Sequence, residues 1–438
     1  MLALRINTYM HILSWNYIRE KWAHAGFQKY FKNTGWMFAA QVGNLISLTV
    51  NIWLARYLGP TNFGTINYVF AFVGIFSFLS NLGISGILIR DLVRYPEKRD
   101  KILGTAFWLL TIGSILAFVL VIISSFIFES TLMVRTLIIL YSTIFLWSPV
   151  SIINSYFLAT VQAKKNAVIQ ITGTVIVSAI KIVFILSGKG IIWLTATFIL
   201  DCIFSSILYI FNYNKSGLKI SLWRFDDKLA KDFLLASWFL MLSTAAGYLL
   251  LRIDQVMVKL YLGQTAVGLY AVAVKLSEIW YFIPGIICSS IFPAIINAKK
   301  THEGIYLERL KKLYAFLGGI ALLIALPTAI LAPWIIKSLF GAQYSESVQI
   351  LQIYVWSGIG VFLSTGINQY FIIENYLKTI FLYSLVSVVV NIVLNIILIP
   401  KIGLTGAAWA TLISYSVGPI FILIFFIFKR IKDKKNFI

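Results

Sequence analysis

Five ionisable residues interrupt a strongly apolar stretch near the middle of this chain: Arg252, Asp254, Lys259, Lys275 and Glu278. Gly263 and Gly268 lie between them and mark a turn, so depth on either side can be counted at about 1.5 Å per helical residue. Arg252 is then about 16 Å below the turn and Glu278 about 15 Å, both near the middle of a hydrocarbon layer about 30 Å thick. Asp254 comes out at about 13 Å and Lys275 at about 10 Å. A charge at such depth is costly and points to function by default. Arginine and lysine there can hold an anion, the guanidinium gripping phosphate oxygens two at a time. A carboxylate beside them can take up a proton or a sodium ion. Thiol and metal chemistry find no support: Cys202 and Cys288 fall inside apolar runs, His11, His24 and His302 fall outside them, and no ligand spacing joins them.

Angular position refines this set. Lys275 and Glu278 are three apart on one helix face, whereas Arg252 and Asp254 are separated by about 200° around theirs, so only one can meet the neighbouring helix directly. The other must look into protein or a watery cavity. Lys259 follows Arg252 on the same face and makes it a basic stripe. In the first half of the chain, Arg56 sits about a turn from Gly59, where it can snorkel or act as a ligand. Lys181 and Asp201 lie deeper and are placed to pair, as structure or as transport groups. Gln41, Asn44, Ser47 and Asn51 form a polar stripe that suits a cavity wall and equally suits interhelical hydrogen bonding. The candidates are therefore Arg252, Lys259, Lys275, Lys181 and Arg56 for an anionic cargo, Glu278, Asp254 and Asp201 for a coupling ion, and Gln41, Asn44 and Asn51 for the cavity wall. No catalytic constellation and no metal site is expected.

The elements that must position these residues are membrane helices. The 438 residues are 60% hydrophobic and 12% charged, with mean hydropathy +0.87. Apolar runs long enough to span a bilayer recur at about 36–58, 65–89, 103–128, 134–160, 167–187, 191–211, 233–262, 268–292, 313–338, 347–372, 379–399 and 405–428. An all-α integral membrane protein with about twelve transmembrane helices is expected, without a folded soluble domain. The first 33 residues place Trp15, Tyr17, Trp22 and Tyr30 among basic residues but hold no continuous apolar core, which fits an interfacial helix and not a cleavable signal peptide. The formal charge of +21 is distributed by topology. With the N-terminus inside, 28 of the Lys and Arg residues fall in cytoplasmic segments and three, Arg135, Lys189 and Lys401, in the opposite loops. Both termini are thus expected in the cytoplasm, and the basic residues serve orientation and lipid headgroups, not nucleic acid.

Two octets set the domain organisation. Residues 57–64 read YLGPTNFG and residues 261–268 read YLGQTAVG, with five matches at one offset of 204 residues. Gly59 and Gly263 are placed to end an incoming helix in the left-handed conformation, Thr61 and Thr265 to cap the outgoing one, and Gly64 and Gly268 to let it approach a partner closely. Six spans separate the turns, which predicts two six-helix bundles related by a parallel repeat. The expected segments are an interfacial 1–33, a first bundle 34–213, a basic cytoplasmic linker 214–232, a second bundle 233–428 and a basic tail 429–438. Pro149, Pro284, Pro327 and Pro419 are expected kink sites.

Three stretches, LARYLGPTNFGTINYVFAF (54–72), LRIDQVMVKLYLGQTAVGLYAVAVKLSEIWYFIP (251–284) and LIPKIGLTGAAWATLISY (398–415), resemble the Wzx-type oligosaccharide flippases. These form part of the polysaccharide transport family of the multidrug/oligosaccharidyl-lipid/polysaccharide exporter superfamily. The resemblance extends over all twelve spans, and the middle block with its Arg-Ile-Asp is its most specific part. It implies a two-bundle, alternating-access carrier in the bacterial inner membrane that moves undecaprenyl-pyrophosphate-linked oligosaccharide to the outer leaflet for O-antigen, capsule or exopolysaccharide, driven by a proton or sodium gradient and without a cofactor. Its partners would be that lipid-linked cargo, membrane lipids, and the polymerase and chain-length proteins of the same pathway. Cavity cations engage the pyrophosphate in such families, and Arg252, Lys259 and Lys275 are the positions that match. The deep cations lie mostly in the second half, so a symmetric two-sided site is not expected. Two rivals remain: a drug or organic-cation exporter of the same superfamily, which calls for an acidic and aromatic lining, and a membrane polymerase or ligase, which calls for a sizeable outer loop that this chain lacks.

Overall fold

The computed structural model describes residues 25–435, with side chains described for most of 35–422. Residues 1–24, most of the expected interfacial segment, lie outside the described residues. Among the described residues every regular element is helical. The chain enters the helix Ala25–Ile75, which Gly59 (φ 70°, ψ 171°) divides into α1, residues 25–58, and α2, residues 60–75. It continues through α3 (Ser77–Asn81), α4 (Ser85–Arg94), α5 (Arg99–Phe128), α6 (Leu132–Ser142), α7 (Ile144–Trp147), α8 (Ile152–Ala159), α9 (Ala163–Leu186) and α10 (Ile191–Lys215). The second half holds α11 (Asp227–Leu262), α12 (Gln264–Glu278), α13 (Phe282–Thr301), α14 (Glu303–Leu339), α15 (Ser347–Tyr354), α16 (Ser357–Ile373), α17 (Leu377–Ile402) and α18 (Leu404–Lys435).

Ten stretches among the described residues are long and apolar enough to cross a membrane, and an eleventh runs over residues 39–94 with a 52° bend near Phe76. The twelfth expected span is hidden in that last stretch, because Gly59 reverses the chain. Before it, Gly43 packs on Ile171, Asn51 meets Lys181 and Tyr57 meets Lys189, so α1 climbs beside α9. After it, Gly64 packs on Gln264, Gly74 on Arg252 and Gly83 on Met241, so α2 to α4 run back along α11. Gly263, at φ 84° and ψ −176°, makes the same reversal between α11 and α12. Only glycine adopts these backbone angles cheaply.

Breaks elsewhere follow local chemistry. Pro149 opens a 3-10 turn, Ser148–Ser151, between α7 and α8. The span containing α12 and α13 is interrupted just ahead of Pro284, while Pro327 and Pro419 sit inside uninterrupted helices and mark no break. Asp226 caps α11 by accepting the Leu229 N–H at 3.1 Å.

Three apolar clusters describe how the halves meet. At the end that carries both octets, a single cluster joins residues of the two halves, among them Phe63, Val69, Val267, Tyr270 and Tyr344. Towards the opposite, basic end the core splits: one cluster gathers α4, α5, α8 and the start of α11, and another gathers α13, α14, α16 and α17. Two lobes are therefore sealed together at one end, called here the seam end, and separate below it.

Candidate functional site

The seam itself is built from the repeated octets. Thr61 and Thr265 pair with each other through their hydroxyls at 2.8 Å; the capping role that the sequence suggested for them is not filled, because both helices begin before them, at residue 60 and at Gln264, and the threonines lie inside the first turn. A side chain at Gly64 would strike the Gln264 carbonyl and one at Gly268 the Pro60 carbonyl, each with its Cβ at 1.9 Å. The repeat is thus a backbone-to-backbone contact between lobes. Around it, Arg56 donates to the Ser338 carbonyl at 2.6 Å and Tyr344 to the Ala55 carbonyl at 2.8 Å. Lys259 donates to Glu129 at 2.7 Å while its ammonium lies 4.9 Å from the centre of the Tyr68 ring. Glu129 is 1% exposed on its side chain, and its other carboxylate oxygen accepts the Thr131 N–H at 3.1 Å. Burial pushes this carboxyl up, but Lys259 and the Thr131 N–H outweigh it and hold it below the usual 4.5. Arg56 and Lys259, both placed among the cargo cations by sequence, are engaged in the seam in this conformation.

Below the seam the remaining cations come together. Arg252 lies against Gly74 of α2, where a Cβ would stand 3.4 Å from its Cγ, so the absence of a side chain there makes room for the guanidinium stem. Its Nη1 is 3.8 Å from Glu278 Oε2, longer than the 2.7–2.9 Å of a charge-assisted hydrogen bond. The pair is loose. Arg252 keeps 34% of its side chain exposed, and Glu278 also accepts from the Tyr354 hydroxyl at 3.2 Å. Lys275, one turn before Glu278, points its ammonium at Phe63 of the first lobe, 5.0 Å from the ring centre. Lys181 of the first lobe donates to Asn51 at 3.1 Å and sits 3.8 Å from the Phe198 ring centre. Lys275 stands within electrostatic range of Lys181, Arg252 and Glu278 together. Lys181 thus adds one first-lobe cation to Arg252 and Lys275 of the second lobe, so the deep cations lie mostly in the second half of the chain. Asp201 interacts electrostatically with Lys181 without a close ion pair. Asn51 also donates to Ser47 at 3.3 Å. Gln41 is half-buried lower on the same helix, and the side chain of Asn44 lies outside the described residues.

The 200° separation of Arg252 and Asp254 sorts the two as geometry requires. Arg252 faces the cleft, and Asp254, 3% exposed, turns into the second lobe. There it accepts from Tyr270 at 3.1 Å and from Asn395 at 2.8 Å, and also from Thr411. Asn395 in turn donates to Asn391 at 2.9 Å, and Asn391 to Ser414 at 3.1 Å. No basic side chain joins this group among the described residues, and Asn395 Oδ1 is buried without a hydrogen-bond partner. A buried carboxylate beside an orphaned carbonyl oxygen has surplus acceptors, which a proton or small cation would satisfy. Sequence reasoning missed Tyr270, Asn391, Asn395, Thr411 and Ser414. The one usable signal was Asn391 and Asn395, four apart on one face of an otherwise apolar span. No group of three or more His, Cys, Asp or Glu residues that could hold a metal occurs among the described residues.

Residues 30–299 match the family model described as polysaccharide biosynthesis protein. The chain is 24% identical over 181 residues to the probable flippase AglR of Haloferax volcanii, covering 38% of this chain and 36% of AglR. It is 23% identical to the putative O-antigen transporter of Shigella flexneri, covering 74% of this chain and 79% of that one. The match thus spans about a third of AglR and most of the Shigella protein. In fold it is similar to an inward-facing multidrug resistance MATE family transporter of the MOP superfamily (TM-score 0.68, 16% identity, 89% of this chain and 94% of that one). It is similar too to the lipid II flippase MurJ in an inward closed conformation (TM-score 0.67, 18% identity, 89% and 86%). The two-lobed helical architecture is shared by all three.

Proposed function

The chain belongs to the polysaccharide biosynthesis protein family, and from that premise we propose that it is a flippase carrying undecaprenyl-pyrophosphate-linked oligosaccharide between membrane leaflets by alternating access. The observation that supports this most is that Arg252 of the second lobe and Lys181 of the first both lie within electrostatic range of Lys275, whose ammonium faces Phe63 of the first lobe. A pyrophosphate crossing a low-dielectric layer needs cations in a hydrated cleft, since its unpaired burial costs many kcal/mol. Arg252 is the best placed of the three to grip it. The Glu278 contact is long enough to yield, and the partly exposed guanidinium offers two parallel donors. Glu278 then acts as the counter-ion that Arg252 rests on between loads.

Asp254 is proposed as the coupling residue. Its neutral hydrogen-bond donors and the orphaned Asn395 oxygen suit a site that is charged without its ion and neutral with it. The basic end is proposed to face the cytoplasm of a bacterial inner membrane, on the asymmetry of Lys and Arg. The lobes separate towards that end, so this conformation receives cargo from inside. A drug or organic-cation exporter of the same fold is disfavoured by a cleft holding three cations against Glu278 and Asp201. An enzyme is disfavoured by the short connections at the seam end.

The test is leaflet transfer in proteoliposomes, using a fluorescent short-chain polyprenyl pyrophosphate that carries an oligosaccharide. Transfer that depends on the protein and fails in Arg252→Ala supports the reading. A protein that moves organic cations but leaves this lipid in place refutes it.

A further inference from the structure

A cavity of about 260 Å³ opens in the first lobe beside the cation cluster. Its one contribution from the second lobe is Tyr248, four residues before Arg252 and hence on the same face of α11, about 6 Å nearer the basic end. Gly74, against which the Arg252 side chain lies, stands three residues before Ser77 of the cavity wall, which ties the cavity to the cation cluster. The other walls are unusually polar for a membrane interior: Ser77, Asn81, Ser148, Ser151 and Ser155 all reach it.

Ser155 is 8% exposed, yet its hydroxyl makes no hydrogen bond among the described residues, and the hydroxyls of Ser77 and Ser151 make none either. Hydroxyls inside a protein are normally paired, so three serines that line a cavity without a partner in the protein leave hydrogen-bonding capacity open to whatever enters it. Two of the spans that furnish the wall are interrupted at it. The bend near Phe76 and the positive φ of Leu82 (50°) and Gly83 (64°) break one, and the 3-10 turn Ser148–Ser151 breaks the other. Irregular backbone at membrane depth is tolerated where it lines a hydrated or ligand-bearing space.

We infer that this cavity is a subsite for one uncharged sugar ring of the cargo, the ring attached to the pyrophosphate. The inference rests on the flippase reading above and specifies it further. A sugar ring presents many hydroxyls that both donate and accept, which matches three unpartnered serines and an amide; its apolar face suits the Tyr248 ring. No charged side chain lines the cavity among the described residues, so an acidic or amino sugar gains no ion pair here. The volume lies below the roughly 300–1,000 Å³ of sites for drug-sized ligands, room for a single ring while the rest of the glycan extends into the open cleft. The short span from Tyr248 to Arg252 places ring and pyrophosphate as neighbours, in the order in which they are bonded.

The test compares the full-length protein in lipid nanodiscs with two probes: a short-chain polyprenyl pyrophosphate, and the same lipid carrying one neutral hexose. The sugar-bearing lipid should bind about tenfold more tightly, the gain expected of a few net hydrogen bonds. In the triple variant Ser77→Ala, Ser151→Ala, Ser155→Ala that ratio should fall towards one with bare-lipid affinity unchanged, because these hydroxyls hold nothing in the protein. Ser155→Leu, which fills the cavity, should bring the ratio below one. Equal affinity of the unmodified protein for both lipids, or an unaltered ratio in the variants, overturns the subsite and leaves the flippase reading standing. Failure to bind either lipid overturns both.

Discussion

Replacing Glu129 with Gln should open the seam. The carboxylate is 1% exposed, its partner Lys259 is 18% exposed, and the two atoms are 2.7 Å apart across the lobe boundary. At an effective dielectric near 20 the bare attraction at that distance is about 6 kcal/mol. Desolvation of the two ions offsets most of it, and a hydrogen bond to a charged group keeps a net of about 1.5–3 kcal/mol. Lys259, partly solvated and resting on Tyr68, does not become fully unpaired in the variant, so the lower part of that range applies. A shift of about 1–2 kcal/mol changes the ratio of seam-open to seam-closed molecules by about 5–30-fold. Spin labels on the exposed positions Lys189 and Lys337, one on each lobe near the seam, report this by electron–electron double resonance. The expected result is growth of a longer distance in Glu129→Gln, with no further growth when Lys259→Gln is added. An unchanged distance distribution would refute the latch.

The pH dependence of the same latch has a definite sign. Glu129 is held below its ordinary value near 4.5, so its contribution is fully present above 4.5 and is lost only as pH falls through the lower value. The distribution should be flat from neutral pH down to that point and widen in stronger acid. Opening between pH 7 and 5 would show that another group controls the seam.

Other expectations follow from the same geometry. Thr61→Cys with Thr265→Cys, whose hydroxyls now touch, should form a disulfide on oxidation that stops transport and is reversed by reductant; undiminished transport by the cross-linked protein would mean that the seam need not part. Arg252→Lys should keep charge and transport weakly, while Arg252→Ala should abolish transport at normal abundance. The double variant Arg252→Gln with Glu278→Gln should stay inactive, and full activity there would reduce the pair to a structural role. Asp254→Asn should abolish transport driven by an ion gradient yet leave lipid pyrophosphate binding within about twofold, measured by the nanodisc assay; a parallel loss of binding would place Asp254 in the cargo site.

How far the sequence could be read depended on whether the partner lay nearby. Counting residues from Gly263 and Gly268 placed Arg252 and Glu278 at one level, and they are paired there, because helix rise is the same in any membrane helix. The octets announced both reversals, since positive φ demands glycine. That the octets would touch each other was not readable: the contact depends on the axis relating two halves 204 residues apart. Lys259 looked like a cargo cation because Glu129 lies 130 residues away in a connection. Asp254 gave its depth but not its neighbours, which come from spans 141 and 157 residues on. The break near Phe76 was invisible because hydropathy stays high through it, and hydropathy measures burial in lipid, not helical continuity.

Helix α11 connects all of these sites. Its first turns pack into the core of the first lobe, its last turns belong to the seam, and between them it carries Arg252 on one face and Asp254 on the other. A rigid helix cannot alter the packing around Asp254 without moving Arg252, since the two residues lie about 3 Å apart along one axis. Neutralising Asp254 removes the charge that draws Asn395 of α17 and Thr411 of α18 onto α11. Those contacts hold α11 to the second lobe at the level of the cleft, while Lys259 and Glu129 hold the lobes together above it. On the proposed reading, ion binding at Asp254 and opening of the seam are linked through one element, and the linkage is reciprocal. If Asp254 takes up the coupling ion as proposed, Glu129→Gln should therefore change the apparent affinity for that ion, measured by its concentration dependence of transport, through the helix that carries both Asp254 and Lys259; an unchanged affinity in a variant whose seam opens more readily would show that the two sites are not linked.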